Sequence, residues 1–191
     1  MSRTTIGASL AAFALAAAFV LLVVPADAAS GQVGVGFNAP AISGFLPGGK
    51  VFLTGGGAYT PKSASNLDPE SGFVRSNGGF RCLEDVGQGP LQGCLSGEGV
   101  RWDTDGLLES TGFKCTGAQT EPGKTAFTDE HTAVLLSDFY RAGDGNDASF
   151  KGVKVIVSDH DLAPEIDGVQ NVWIEKVGCG SANVNFSSSN E

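Results

Sequence analysis

The stretch Thr132-Ala-Val-Leu-Leu-Ser-Asp-Phe-Tyr140, followed by Phe150-Lys-Gly-Val-Lys-Val-Ile-Val-Ser158, decides the fold class of this chain. The first segment carries apolar side chains at both odd and even positions, which is typical of a strand buried on both faces. The second segment places valines at every second position, which is the period of a β-strand. Residues 143–147, Gly-Asp-Gly-Asn-Asp, lie between them and have turn composition. The two segments therefore predict a β-hairpin at the centre of a packed sheet.

Short apolar runs on either side predict further strands, because Gly, Pro, Ser, Asn and Asp separate them. Glycine contributes 28 of 191 residues, roughly twice the average share of about 7%, which favours many turns and few long helices. The run at 172–177 and the run at 182–186 predict a second hairpin. About eight short strands predict an all-β domain, an antiparallel β-sandwich, with a small β-barrel as the alternative. The other runs are 50–54, 79–83, 100–103 and 113–115.

The N-terminal segment has the pattern of an export signal. Arg3 is the only charged residue before Asp27, and residues 6–24 between them are uncharged and mostly apolar. The small-x-small triplet at 26–28 is typical of a cleavage site. We therefore predict a cleavable signal peptide over residues 1–28. The alternative is a retained anchor, since the apolar run approaches the about 20 residues that span a bilayer.

The rest of the chain divides by composition into three parts. Residues 29–49 are rich in Gly, Ala and Ser and predict a flexible lead-in or a first edge strand. Residues 50–187 predict a single β-rich domain, because no linker or internal repeat interrupts them. Residues 188–191 predict a frayed tail.

Four cysteines, Cys82, Cys94, Cys115 and Cys179, follow the export signal. An even number in an exported chain predicts two disulfides. An all-cysteine zinc site is disfavoured, because no two cysteines have the short spacing of a zinc knuckle. Three pairings are possible, and the Gly- and Pro-rich segment inside the first pair favours Cys82–Cys94 with Cys115–Cys179.

The charge balance excludes two classes of partner. The chain has 12 Lys and Arg against 21 Asp and Glu, a net charge of −9. Nucleic acid and anionic lipid are repelled by such a chain, so we expect neither a nucleic-acid partner nor membrane association after signal cleavage. An acidic balance is compatible with divalent cations or basic ligands, and it also serves solubility.

The turn of the central hairpin is a calcium candidate. Asp144, Asn146 and Asp147 place three oxygen ligands within four residues, and Ca²⁺ takes 6–8 oxygens. The loop departs from the EF-hand pattern. If Asp144 is position 1, Ala148 stands at position 5 in place of Asp or Asn, and Ser149 stands at position 6 in place of the required glycine. The same residue types also serve the backbone geometry of a turn, so both interpretations stay open. No cofactor other than a possible Ca²⁺ is predicted.

Two polar clusters surround the only histidines of the chain. His131 follows two acidic residues, and His160 lies between Asp159 and Asp161. These side chains make a zinc or other transition-metal site if the fold brings them together. Their spacing matches neither H-x-H nor H-E-x-x-H, and solvated loop residues are the alternative.

Several strings resemble a family of small exported bacterial proteins for which no activity is established. The resemblance covers roughly residues 50–186, and it implies a bacterial envelope or extracellular setting. It assigns no catalytic residue. The strings that carry it lie at 89–94, 99–103, 138–150, 170–173 and 177–181.

The residues therefore favour an exported, non-catalytic β-domain that binds or structures something in the cell envelope or medium. No G-x-S-x-G nucleophile elbow is present in the sequence. The alternative is a small secreted hydrolase that uses carboxylates or a His/Asp metal site. Convergence of His131 or His160 with the nearby carboxylates in a concave pocket would favour the hydrolase.

Overall fold

The computed structural model describes residues 31–188, so the predicted signal peptide and residues 189–191 lie outside the described residues. Within this range no helix has the length and apolar composition needed to cross a membrane. The described chain is built from strands and two single-turn 3-10 helices, Pro61–Ser63 and Pro69–Ser71. The strands are β1 Val33–Gly44, β2 Lys50–Tyr59, β3 Val74–Glu84, β4 Arg101–Leu107, β5 Ser110–Phe113, β6 Lys124–Phe127, β7 Thr132–Tyr140, β8 Phe150–Ser158, β9 Val172–Ile174, β10 Gly178–Gly180 and β11 Asn183–Ser188.

Eight antiparallel strands close into a barrel in the order β1-β2-β3-β4-β7-β8-β9-β10, and β10 pairs back with β1. The all-β prediction is confirmed, and the closed barrel is the architecture predicted only as the alternative to a sandwich. Both architectures require the same alternation of apolar and polar residues along each strand. The difference lies in the pairing between β1 and β10, which are far apart in sequence.

Residues 29–49 were predicted as a flexible lead-in or a first edge strand, and the structure shows a strand, β1, that has partners on both edges. Its first half, Val33 to Asn38, pairs with β11, and its last residues, Ser43 and Gly44, pair with β10. The whole strand also pairs with β2 on its other edge, with an irregularity between Ala39 and Ile42. Pro40 lies at this irregularity, where its missing N–H interrupts no ladder. Residues 33–44 are therefore the closing strand of the barrel.

The barrel interior is packed with aromatic rings. Trp102 is fully buried between the half-buried side chains of Arg101 and Asp103, and its ring nitrogen donates to the carbonyl of Thr54 at 2.9 Å. The Phe139 ring lies 6.2 Å from Trp102, measured between ring centroids. Gly55 faces the indole, and a Cβ there would lie 2.3 Å from the Trp102 ring. A glycine at this position leaves the space that the indole occupies.

A second apolar cluster lies outside the barrel wall, on the opposite face of β7, β8 and β9. Strands β5 and β6 form a separate two-stranded sheet, and they contribute Phe113 and Ala126 to this outer cluster. Val134 and Ile156 contribute the outward face of β7 and β8. Burial on both faces is why β7 reads as apolar at odd and even positions. The full cluster is Leu108, Phe113, Cys115, Ala126, Val134, Ile156, Ala163, Trp173 and Cys179.

Both disulfides form in the favoured pairing. Cys82 is joined to Cys94, and Cys115 is joined to Cys179. The pairs close loops of 12 and 64 residues, for which the chain-entropy model gives stabilisation of about 3 and about 4 kcal/mol. Two disulfides indicate an oxidising compartment, extracellular or periplasmic.

The central hairpin is confirmed with its predicted boundaries, since β7 and β8 pair antiparallel. The second predicted hairpin is corrected. Strand β9 ends at Ile174 and turns back at once into β10, whereas β11 pairs with β1. Ser188, predicted to begin a frayed tail, is the last residue of β11 and pairs with Val33. The single folded unit therefore begins at β1 and includes the predicted β-rich domain.

Candidate functional site

The open end of the β7–β8 hairpin brings the two predicted histidine clusters together. Thr132 pairs with Ser158 in the strand register, which places the preceding residue, His131, opposite the following residue, Asp159. The backbone N–H of Asp159 donates to the carbonyl of His131 at 3.1 Å. Residues 28 positions apart in sequence therefore become neighbours through register alone.

The side chains of His131, Asp159 and His160 form one cluster, named here the His–Asp cluster. Nδ1 of His131 lies 2.8 Å from Oδ2 of Asp159, and Nδ1 of His160 lies 3.0 Å from Oδ1. The two imidazole centroids are 5.2 Å apart. One ligand atom from each residue lies within 4.8 Å of the others. A single carboxylate thus serves both rings.

Buried hydroxyl groups hold the backbone beneath this cluster. Oγ1 of Thr132 and Oγ of Ser158 are 2.9 Å apart, and Ser158 Oγ also accepts the N–H of His160 at 3.1 Å. The hydroxyl of Tyr59 donates to the carbonyl of Asp129 at 2.7 Å. Burial and the nearby carboxylates raise the pKa of Tyr59, so this hydroxyl stays a hydrogen-bond donor. These hydrogen bonds fix the backbone that carries His131 and His160.

The cluster itself is open to solvent. The side chains of His131 and His160 are 58% and 68% exposed, and that of Asp159 is 30% exposed. The hydrogen bond and negative charge of Asp159 raise the pKa of His131. Asp161 is not part of the cluster, because its Oδ1 accepts the N–H groups of Ala163 and Gln170.

The closed end of the same hairpin, the loop of residues 141–149, uses its acidic side chains differently. Oδ2 of Asp144 accepts the N–H of Arg141 at 2.6 Å and that of Ser149 at 3.1 Å. Hydrogen bonds from Ser149 and Arg141 lower the pKa of Asp144. Asp147 forms an ion pair with Lys151 at 3.0 Å. These contacts favour the interpretation that the acidic side chains stabilise the turn. The alternative, calcium at Asp144, Asn146 and Asp147, is decided by titration with Ca²⁺.

A cleft of about 500 Å³ opens beside the Cys115–Cys179 disulfide. Strand β5, the β9–β10 turn and the segment after β1 form its walls, and we name it the aromatic–lysine cleft. Three of the four charged side chains that line it are lysines, in a chain with seven lysines in all. Its lining is Phe45, Gly112, Phe113, Lys114, Gly117, Gly123, Lys124, Trp173, Glu175 and Lys176.

The lysines of this cleft differ in their partners. Lys124 forms ion pairs with Glu121, at 3.0 Å, and with Glu165. Burial opposes the charge of Lys124, but hydrogen bonds to these two carboxylates raise its pKa. Within residues 31–188, Lys114 and Lys176 form no ion pair with a carboxylate. Lys176 instead lies over the ring of Phe45, with Nζ 5.4 Å from the centroid. Nζ of Lys114 donates to the carbonyl of Ala118 at 3.3 Å. Neither lysine is therefore paired with an anionic group within the described residues, and both can contact an anionic ligand in the cleft.

Glu121 fixes the loop that borders the cleft. Its carboxylate accepts the N–H groups of Cys115 at 2.6 Å and Thr116 at 2.7 Å, and the hydroxyl of Thr116 at 2.6 Å. Burial opposes ionisation of this carboxyl, but hydrogen bonds from Thr116, Cys115 and Lys124 outweigh it and lower the pKa to about 2. The loop of residues 115–117 is therefore held at neutral pH by the ionised carboxylate of Glu121.

This cleft was not predicted from the sequence. Its residues come from the predicted lead-in, a short strand and a predicted hairpin, and no spacing pattern links them. One feature of the sequence pointed to two lysines of the cleft. Lys114 precedes Cys115 directly, and Lys176 precedes Cys179 by three residues. The favoured disulfide pairing brings these two lysines to the same region.

A second cleft, also of about 500 Å³, is lined by Arg81, Glu98, Arg141 and Asp144 among others. Arg141 lies 3.5 Å from Glu98, and Asp144 accepts N–H groups of its own loop, whereas Arg81 forms no ion pair within residues 31–188. The His–Asp cluster lines neither of these two clefts. The convergence that would favour a hydrolase therefore occurs on an exposed surface and not in either concave site.

The fold and the surface features define an all-β, disulfide-linked barrel with a cleft on its outer wall. Comparisons of the chain with family models, with curated proteins and with solved structures found no match.

Proposed function

We propose that this protein is an exported, non-catalytic binding protein, and that its ligand is a small organic anion with an apolar ring. The observation that carries the proposal is the aromatic–lysine cleft. Ligand sites in proteins are concave and largely apolar, with a few polar groups that fix orientation. This cleft combines those properties with a volume in the range of small-molecule sites, which is about 300–1,000 Å³.

The charged side chains of the cleft favour an anion. Lys114, directly after β5, and Lys176, in the β9–β10 turn, approach it from different segments, and neither forms an ion pair with a carboxylate within the described residues. A chain of net charge −9 repels anions in general. The cleft differs from this average, because three lysines and one carboxylate line it. Glu175 on the rim disfavours ligands with several negative charges. A single carboxylate, sulfonate or phosphate matches this arrangement.

The apolar part of the ligand would contact Phe45 and Phe113. Phe45 is half-buried, so part of its ring faces the cleft. Trp173 is 3% exposed and donates its ring N–H to the carbonyl of Lys114 at 2.8 Å, which makes it a wall rather than a mobile side chain. Aromatic side chains lose little conformational entropy when they contact a ligand ring.

The cleft is also preformed. The Cys115–Cys179 disulfide, the Glu121 hydrogen bonds and the β9–β10 turn fix three of its sides. Lys176 adopts φ 61° in that turn, and it is the one non-glycine residue with positive φ in the described range. This conformation costs about 1 kcal/mol and directs the lysine across the mouth of the cleft toward Phe45. A rigid site lowers the entropic cost of binding.

The residues of the cleft support binding rather than hydrolysis. Both histidines of the chain belong to the His–Asp cluster, so the cleft contains no imidazole for proton transfer. Glu175 is its one carboxylate and has no second carboxylate opposite it for acid–base work. The two disulfides and the resemblance to exported bacterial proteins support a role in the cell envelope or medium.

A pair of matched fluorescent probes tests the proposal. The anionic probe 8-anilinonaphthalene-1-sulfonate and the neutral probe N-phenyl-1-naphthylamine differ by one sulfonate, and each is titrated into the folded protein. We expect saturable binding of the anionic probe, weaker binding of the neutral one, and a loss of affinity with salt. Equal affinity for both probes, or no saturable binding, would contradict the proposed function.

Matched lysine variants locate the probe. Lys114→Gln and Lys176→Gln each remove one charge from the cleft, whereas Lys151→Gln removes an exposed charge on β8. We expect each cleft variant to weaken the anionic probe by up to about fivefold, the value of one exposed ion pair. Lys151→Gln should leave the affinity unchanged. The same affinity in all three variants would place the probe elsewhere and refute the site.

A further inference from the structure

We propose that the His–Asp cluster binds one divalent transition-metal ion of the zinc type, with one ligand atom each from His131, Asp159 and His160. Solvent completes the coordination. The site lies outside the aromatic–lysine cleft, and the proposal does not depend on the organic ligand.

The donor atoms already have nearly the spacing that such an ion needs. Zinc lies about 2.0–2.2 Å from imidazole nitrogen and carboxylate oxygen, so tetrahedral coordination separates neighbouring ligand atoms by roughly 3.3 Å. The carboxylate oxygens of Asp159 lie 2.8 Å and 3.0 Å from the Nδ1 atoms of His131 and His160. Small rotations of three exposed side chains make room for the ion, which replaces the protons that now join the carboxylate to the rings.

The backbone that carries these ligands is fixed in advance. Asp159 donates its N–H to the carbonyl of His131, and the side chain of Asp129 accepts the N–H of His131 at 2.8 Å. The hydroxyl of Ser158 holds the next residue, His160, from the buried side. Metal binding therefore orders side chains and leaves the chain path unchanged, which limits its entropic cost.

The ligand set selects the type of metal. Two imidazole nitrogens and one carboxylate oxygen suit zinc, copper and nickel. Calcium and magnesium prefer six or more oxygen ligands, which this site does not offer. Asp129 and Glu130 beside His131 add negative charge, which attracts cations to this end of the barrel. Both histidines of the chain meet at this one carboxylate.

Three protein ligands leave one position for water, which is the pattern of open rather than structural zinc sites. The exposure of both imidazoles indicates an exchangeable ion. None of the three ligands belongs to a buried core cluster or to a disulfide, so removal of the metal should not unfold the protein. Addition of the metal should raise the melting temperature by mass action.

Calorimetric titration of tag-free, chelator-treated protein with zinc chloride tests the proposal. We expect one ion per chain. His131→Ala and His160→Ala should each weaken binding at least about tenfold, since even residues that only support ligands cost 10–100-fold. The matched control is Glu130→Gln, which removes a neighbouring charge but no ligand, and it should retain most of the affinity.

The folding of each variant is checked from its melting temperature in the absence of metal, which the loss of an exposed histidine should change only slightly. Electron paramagnetic resonance with Cu²⁺ gives a second readout, and we expect two nitrogen donors in the wild type and one in His160→Ala. No zinc binding by the wild type would overturn the proposal. Wild-type affinity in the variant that lacks both histidines would also overturn it, as would a copper spectrum without nitrogen donors.

Discussion

The two ends of the β7–β8 hairpin carry similar residue types but arrange them differently. At the closed end, Asp144 accepts two N–H groups of its own loop, and Asp147 pairs with Lys151. At the open end, Asp159 faces the rings of His131 and His160. The closed end stabilises a turn, whereas the open end forms a cluster of side chains that converge on one carboxylate.

The difference follows from how each end is formed. A tight turn leaves N–H groups without strand partners, and a short acidic side chain within a few residues binds them first. At the open end the strand ladder and the hydroxyls of Thr132 and Ser158 satisfy the backbone. The side chains there are free to contact one another. Acidic residues near a turn are therefore weaker evidence for a metal site than residues joined by register.

The largest change in the free energy of unfolding is expected for the buried core of β7, the strand that connects the two ends. Leu135 lies in the barrel interior on β7 and is fully buried. Leu135→Ala should lower the free energy of unfolding by about 2–5 kcal/mol, as large-to-small core substitutions do. Leu67→Ala is the control, because Leu67 is 99% exposed. Urea unfolding with intact disulfides measures both, and equal losses in the two variants would contradict the assigned interior.

Glu121 is the buried counterpart of Asp144, because its carboxylate also accepts N–H groups of its own loop. Its pKa of about 2, against an ordinary 4.5, corresponds to about 3 kcal/mol of stability. Because the folded pKa is lowered, this stability is present above pH 4.5 and is lost as the pH falls toward 2.

Urea unfolding at several pH values tests this prediction about Glu121. Between pH 4.5 and pH 2, wild type should lose about 3 kcal/mol more stability than Glu121→Gln, which cannot ionise at this position. Both proteins share the other carboxyl groups, so the difference between the curves isolates Glu121. Parallel curves would show that the carboxylate does not hold the 115–117 loop.

A smaller effect is expected at the closed end. Asp144→Ala leaves the N–H groups of Arg141 and Ser149 without their side-chain acceptor, so the melting temperature should fall, but by less than in Glu121→Gln. Asp147→Asn is the control, because the side chains of Asp147 and Lys151 are 92% and 63% exposed and such pairs contribute little. If Asp144→Ala melts like wild type, the loop does not depend on this carboxylate.

The smallest effect concerns titration at the open end. Asp159 raises the pKa of His131, so the stabilisation from their contact is present below the ordinary histidine pKa and is lost as the pH rises through the raised value. NMR of the metal-free protein should show His131 titrating above its ordinary value, and Asp159→Asn should return it toward that value. An unchanged titration curve of His131 in Asp159→Asn would show that Asp159 does not raise the pKa of His131.

The sequence allowed the hairpin and the disulfides to be predicted, because both depend on local patterns: period-2 apolar residues around a Gly/Asp turn, and cysteine parity. Barrel closure depends on β1 pairing with β10 and β11, and no local pattern specifies partners so distant. The glycines of β1 made it resemble a lead-in, although Val33, Val35 and Phe37 alternate inward.

The two candidate sites also differ in how far they could be predicted from local sequence patterns. His131, Asp159 and His160 were identified by residue type, and the register of the β7–β8 hairpin brings them together. The aromatic–lysine cleft was missed, because Phe45, Lys114 and Lys176 meet only through barrel closure and one disulfide.

The most direct test of the contrast between the two hairpin ends is a ¹⁵N NMR titration of metal-free protein with Zn²⁺ and, separately, with Ca²⁺. Zinc should shift the amide signals of His131, Asp159 and His160 and leave residues 141–149 in place. Calcium should shift neither end. Zinc-dependent shifts confined to the 141–149 loop, calcium-dependent shifts in that loop, or no response to zinc at the open end would contradict the account.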